Sequence, residues 1–161
     1  MKVYELKKEQ YFNHSIEKVF DFFSKPENLA VITPDKMNFT IITPLPILMG
    51  KGKIIDYTIK IFGFLIRWRS IISSYNIPNG FTDEQLLGPY SFWHHKHHFE
   101  KYQDGTLMTD TVTYVMPFGW LGRLTHWVSV RHQLKSIFDY RERKLGQIFS
   151  EEKKYGVKIC K

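Results

Sequence analysis

Four of the seven histidines in this chain fall within five residues, in the stretch YSFWHHKHHFEKY at 90–102. Histidine changes charge near neutral pH and is the commonest metal ligand. The stretch therefore suits a metal site, a general base, or polar groups in the wall of a binding pocket. The direction of each side chain decides between them. On a strand, neighbours point to opposite faces, so His95 and His97 share one side and His94 and His98 the other.

The next segment can be set against it. Asp104-Gly105, in YQDGT, suits a two-residue hairpin turn, because both central positions of such a turn need positive φ. That places Phe99 opposite Asp110, His97 opposite Val112, His95 opposite Tyr114 and Trp93 opposite Met116, and opposed residues share a face. One face then carries Trp93, His95, His97, Phe99, Met108, Asp110, Val112, Tyr114 and Met116 and is mostly apolar. The other, with Phe92, His94, Lys96, His98 and Glu100 against Thr109, Thr111, Thr113 and Val115, reads as a solvent face. Both strands select the same side, which puts His95 and His97 inside.

Two imidazoles at H-x-H spacing can reach one ion, with Asp110, diagonal to His97, as a third ligand. Against this, the neighbours Trp93, Phe99, Val112 and Met116 cannot ligate, and the one cysteine, Cys160, is near the terminus. No metal is expected. Asp110 beside either histidine would make a general base, with Tyr114 as donor to a developing oxyanion. Yet there is no nucleophile elbow, phosphate loop or dinucleotide fingerprint. No residue is assigned as catalytic and no cofactor is expected; His95, His97, Asp110 and Tyr114 form the acid–base set of an alternative, enzymatic reading. A further reading makes the histidines a hydrogen-bonded structural pair satisfied by Asp110 and Tyr114. The reading we take forward is a cavity whose apolar walls hold a body while a few polar groups orient its head. In GFTDEQLLGP, Phe81, Asp83 and Gln85 alternate, and Asp83 and Gln85 join the same polar floor.

The elements that must position these residues follow from periodicity. Residues 2–12 alternate as a half-buried strand. Ser15 is placed to cap a helix with Val19, Phe20, Phe22 and Phe23 on its apolar face. Pro26 opens a second short helix and Pro34 stops it. Strand-like runs follow at 38–43, 52–61, 65–75, 81–87, 90–102 and 106–116, separated by Gly, Pro or Asn. After PFG at 117–119 the period becomes helical through Leu121, Leu124, Val128, Leu134, Phe138, Leu145 and Ile148, which reads as one long helix. Leu134, Phe138 and, seven residues after Leu134, Arg141 lie on its inner stripe. Trp120 and Trp127 lie two turns apart on one face and are expected in the core rather than at a pocket mouth or a membrane. The layout is α+β: a sheet buries one face, and the final helix covers it.

A chain of 161 residues has the length of one domain, taken as 1–161. Aromatic residues make up 16%, suited to a bulky core or a lined cavity. The formal charge of +7 is spread along the chain, and acidic Asp139, Glu142, Glu151 and Glu152 interrupt its densest basic region. This describes a solvated helix face and not a nucleic-acid footprint. A single cysteine excludes an internal disulfide and fits a reducing cytoplasm. The start MKVYELKKEQ lacks the apolar stretch of a secretory signal, and the most apolar window, 59–68, is broken by Lys60 and Arg67; neither export nor stable membrane insertion is expected.

Four stretches, SIEKVFDFFSKPENLAVITP, RWRSIISSYNIPNGFTDEQLLGPYSFWHHKHHFE, GTLMTDTVTYVMPFGWLG and IFDYR, resemble the SRPBCC group. These are START-like, birch-allergen-like helix-grip proteins, and the similarity points to a bacterial ligand-binding branch, over nearly the whole chain. The resemblance implies a curved seven-stranded antiparallel sheet wrapped around a long C-terminal helix, with a hydrophobic cavity between them. Relatives bind lipids, sterols, polyketides or plant hormones, and some act as cyclases or aromatic-ring oxygenase components. It implies Asp83, Gln85, Trp93, His95, His97, Phe99, Asp110, Tyr114 and Arg141 as pocket positions, to which the face pattern adds Met108, Val112, Leu134 and Phe138. The function expected is non-enzymatic binding of a small hydrophobic or amphipathic molecule. The alternatives are a cyclase- or hydrolase-like enzyme in the same cavity and an interaction protein whose cavity is filled by its own side chains. Oligomeric state is left open.

Overall fold

The structure, a computed structural model, describes residues 2–155, with side chains as far as residue 150; Cys160 lies outside the described residues. β1 (Val3–Phe12) alternates exposed and half-buried residues. Ser15 Oγ then accepts from Lys18 N at 3.4 Å and caps α1 (Ile16–Phe23), which buries Ile16, Val19, Phe20 and Phe23. The short α2 (Asn28–Val31) is tied back by the Asn28 amide, which donates to Phe22 O at 2.8 Å. A single 3-10 turn, Asp35–Met37, follows Pro34.

Six more strands complete one antiparallel sheet in the order β1-β7-β6-β5-β4-β3-β2. They are β2 (Thr40–Ile41), β3 (Ile54–Ile61), β4 (Phe64–Asn76), β5 (Gly80–Leu87), β6 (Phe92–Tyr102) and β7 (Gly105–Val115). β2 is shorter than the 38–43 pattern implies. Asn38 is left-handed, with φ 44°, and Ile42 N and Thr43 N both donate to Asp56 O, which ends the regular ladder. Along β4 the pairing with β5 shifts twice, between Arg69 and Ser70 and between Ile72 and Ser74. Such shifts bend a strand and increase its twist.

The β6–β7 hairpin corrects the expected register by two residues. Tyr102 pairs with Gly105, His97 with Asp110, His95 with Val112 and Trp93 with Tyr114. The turn is centred on Gln103-Asp104, with Gln103 at φ 50°. Gly105 serves another purpose: a Cβ there would stand 2.2 Å from Phe12 O, so glycine is what lets β1 close on the hairpin. A shift of two keeps every side chain on its expected face.

The chain ends in α3 (Gly119–Thr125), a π turn at His126–Val130 and α4 (Arg131–Tyr155). A π turn holds one more residue than an α turn, and upstream of it the expected stripe fails. Gly122, His126 and Val130 face inward, whereas Leu121, Leu124 and Val128 are exposed. The core placement expected for Trp120 and Trp127 fails for the same reason, as both are about two-thirds exposed. Downstream the stripe holds for Leu134, Phe138 and Leu145, while Phe149 takes the buried place expected of Ile148, which is half-buried. Lys8 on β1 anchors this half of the helix, with Nζ 2.6 Å from Asp139 and 3.2 Å from Glu142. The Lys135 and Lys8 ammonium groups hold the Asp139 carboxyl down at about 2. No helix among the described residues is long and apolar enough to cross a membrane.

Candidate ligand cavity and its histidine–aspartate wall

A cavity of about 170 Å³ lies under the sheet, closed by α4 on one side and by the α1–α2 region on another. Its walls are mostly apolar, from Ile32, Met37, Ile55, Ile72, Trp93 and Phe138 among others. Met37, Gln133 and Ile137 also border an outer cleft between the 3-10 turn and α4, so the two spaces share a wall.

Of the expected pocket positions, Asp83, Trp93, His95, His97, Leu134, Phe138 and Arg141 border the cavity. The rest do not. Gln85 closes the β5–β6 turn, its amide donating to Tyr90 O at 2.7 Å while Tyr90 N donates back at 3.3 Å. Phe99 and Met108 pack into the core under α1, and Val112 is fully buried behind the histidines. Tyr114 points to the helix, where its hydroxyl shares a 2.8 Å hydrogen bond with His126 Nε2; burial pushes its hydroxyl up to about 12. That removes it as the expected partner of His95 and as an oxyanion donor. Asp110 sits behind the histidines and borders only a small cleft beside β1.

His95 and His97 lie on β6 between Asp83 on β5 and Asp110 on β7. Each imidazole touches both carboxylates. His95 Nδ1 is 3.5 Å from Asp83 Oδ2 and His95 Nε2 3.3 Å from Asp110 Oδ1. His97 Nε2 is 3.2 Å from Asp83 Oδ2, and His97 Nδ1 is 2.7 Å from Asp110 Oδ1 but off the line of a directed hydrogen bond. The ring centroids are 3.9 Å apart. Packing fixes both rings: His97 stacks on Phe81 at 4.3 Å, and His95 meets the edge of Phe138 at 5.7 Å.

The two histidines differ in charge. Burial disfavours the charged form of His97, but the Asp110 and Asp83 carboxylates outweigh it and raise its pKa to about 9. Burial and the neighbouring His97 charge lower that of His95, against the same carboxylates. Burial opposes ionisation of Asp110 and Asp83, yet the histidines outweigh it and hold both carboxyls low. Arg141 reaches the cavity from α4 with its guanidinium 5.0 Å over the Phe138 ring. It takes part in no hydrogen bond or ion pair among the described residues, and its buried Nε has no acceptor. Burial lowers its pKa, offset by the Asp110 and Asp83 charges.

Sequence reasoning missed three cavity groups. Tyr57 on β3 and Trp68 and Ser70 on β4 face the cavity; Trp68 Nε1 is buried without an acceptor, and Ser70 lies beside the Tyr57 hydroxyl. The alternation of Trp68, Ser70 and Ile72 in RWRSII carried that signal. His126, which stacks on Tyr4 at 3.5 Å, had none, because its inward turn depends on the π insertion.

No protein-family model matches the chain, and no curated protein matches it. Solved structures do. SA2116 of Staphylococcus aureus, described as a protein of unknown function, superposes with a TM-score of 0.69 at 14% identity, covering 95% of this chain and 97% of that one. Ginseng major latex-like protein 151 from Panax ginseng gives 0.65 at 12% identity over 89% and 95%. Ara h 8.0201 gives 0.59 at 15% identity over 90% and 99%. The fold is the helix-grip fold. In this helix-grip chain the sheet supplies the histidine–aspartate wall, and the gripped helix supplies Phe138 and Arg141 to the cavity opposite.

Proposed function

We propose that this protein binds, and carries or senses, a small amphipathic molecule in the cytoplasm, with an apolar body in the cavity and an anionic head on Arg141. The observation that carries this reading is the unpaired guanidinium. A buried donor left without an acceptor costs about 1–3 kcal/mol, and more when charged, so a structure that keeps one facing an apolar space is suited to an incoming acceptor. Trp68 Nε1 borders the same space without an acceptor, and a carboxylate or phosphate has lone pairs for both. The volume of about 170 Å³ is on the scale that holds a single aromatic ring, which favours a compact aryl or short alkyl acid over a long lipid.

Mass spectra of protein purified from its own host, native against denaturing, should show a companion of recurrent mass. Titration with aryl and short alkyl carboxylates should then give saturable binding that Arg141→Met weakens at least about tenfold, the factor set by the loss of one charged hydrogen bond. Equal affinity in wild type and variant would sink the reading.

A cyclase- or hydrolase-like enzyme is the second reading. What favours it is His95, kept from taking a proton by burial and bordering the cavity with Asp110 behind it; this arrangement suits a general base. Turnover of ester or polyketide-like candidates, abolished by His95→Gln, would support it.

A further inference from the structure

The histidine–aspartate wall contains more acceptors than protons. Two imidazoles and two carboxylates make the four nitrogen–oxygen contacts described above. Four ring protons would be needed to fill them, which requires two adjacent buried cations. Metal ligation requires each imidazole neutral, with one ring proton, so an ion would displace a proton from His97. With the two remaining protons on the nitrogens nearest Asp110, His95 Nδ1 and His97 Nε2 are left with lone pairs beside Asp83 Oδ2, at 3.5 and 3.2 Å. One ligand atom from each of Asp83, His95 and His97 lies within 4.8 Å of the other two.

We propose that Asp83 Oδ2, His95 Nδ1 and His97 Nε2 form a three-ligand site for one divalent transition-metal ion at the cavity wall, with Asp110 bonded to the far nitrogen of His95 and in ionic contact with that of His97. The spacing suits a tetrahedral ion. Ligands at about 2.0–2.2 Å from Zn²⁺ stand roughly 3.3–3.5 Å from one another, against 3.2 and 3.5 Å for the Asp83 oxygen and the two nitrogens. A carboxylate on the second nitrogen fixes tautomer and ring direction and raises ligand basicity, and here Asp110 is hydrogen-bonded to His95 Nε2 and in ionic contact with His97 Nδ1. Two imidazoles and a carboxylate without thiolate suit Zn²⁺, Fe²⁺, Co²⁺ or Ni²⁺ over Ca²⁺ or Mg²⁺. Asp83, His95 and His97 all border the cavity, so the ion enters from it, and its remaining coordination positions face the space where a ligand head would lie.

The proposed site differs from the one weighed from sequence in which aspartate ligates. From sequence, an ion site at H-x-H had Asp110 as its third ligand and was set aside because the neighbouring side chains cannot ligate and the one cysteine is near the terminus. In the structure the first-contact carboxylate is Asp83, from the strand on the other side of β6, and Asp110 is the outer support. The ion site does not depend on an organic ligand being bound.

The test starts with wild-type protein stripped by chelator and titrated with Co²⁺. Expected are one equivalent bound, a visible d–d band of a low-coordinate nitrogen–oxygen site, and paramagnetic broadening confined to the His95 and His97 imidazole resonances. Absence of saturable binding, or broadening centred on His94, His98 or His132, would overturn the proposal without any variant being made. Asp83→Asn should abolish the band, and Asp110→Asn should keep it while weakening affinity about 10- to 100-fold, the range seen when an outer carboxylate is removed. Each variant is first shown to be folded by its melting curve. A folded Asp83→Asn that binds Co²⁺ as wild type does would also overturn it. Binding of Co²⁺ with unchanged carboxylate affinity in Arg141→Met would leave the ion site standing and remove the anionic-ligand reading alone.

Discussion

His95 and His97 are two residues apart on one strand, share both carboxylates, and still differ in charge. His97 makes the shorter contact with Asp110, 2.7 Å against 3.3 Å, and once it is charged its field keeps the second proton from His95. In metal-free protein this has a consequence for stability. A histidine whose pKa is raised in the folded state, here from 6.5 to about 9, contributes stability in full below its unfolded value. That contribution is lost as pH rises through the folded one. The melting temperature of chelator-treated wild type should therefore fall between roughly pH 6.5 and 9, and His97→Gln should lack that slope. A wild-type curve flat across this interval would show that the Asp110–His97 pair contributes nothing. The inward direction of both rings was legible from alternation, because one parity of YSFWHHKHHFEKY is apolar and the other polar. The identity of their partners was not, since contacts across strands depend on register and on the neighbouring strand order, which a local pattern does not carry.

At the scale of elements, glycine separates what the chain discloses from what it conceals. Asp104-Gly105 has the composition of a tight turn, yet the turn is centred one residue earlier and Gly105 is where β1 crosses close to the hairpin. Gly105→Ala should then destabilise the protein by about 2 kcal/mol or more, as core overpacking does, while Asp104→Ala should stay within about 0.5 kcal/mol, as for an exposed substitution. Urea midpoints of the two variants decide this, and the opposite order would restore the turn reading. The misplaced turn did no harm to the placement of the histidines, because its error was an even number. Element type was readable through most of the chain for a similar reason: strand and helix differ in period, and the period survives errors in pairing. The seven strands and the terminal helix were visible in this way, whereas the two-residue length of β2 was not, its end being set by a forked bond to Asp56 O.

Across the whole molecule, the sheet and the terminal helix act as two jaws, with the apolar core split into one cluster under α1 and another under β6, β7 and the start of α4. The cavity is bounded by residues of both, so its shape depends on how the helix is seated. The seat is set at one place. Between the jaws the helix is a threaded rod, and the surplus residue at His126–Val130 is a slipped thread of about 100°. Downstream the rod meshes with the sheet; upstream it is turned so that an imidazole locks against Tyr114 and two indoles look outward. Removing one residue from that five-residue segment should reseat the thread, swinging Trp120, Leu124 and Trp127 toward the sheet. Quenching of tryptophan emission by iodide would report the swing as a drop in accessible indole. The same cut would unlock the imidazole from Tyr114 while leaving the ion-facing donors of β5 and β6 untouched, so that one end of the rod can be retuned without disturbing the chamber at the other.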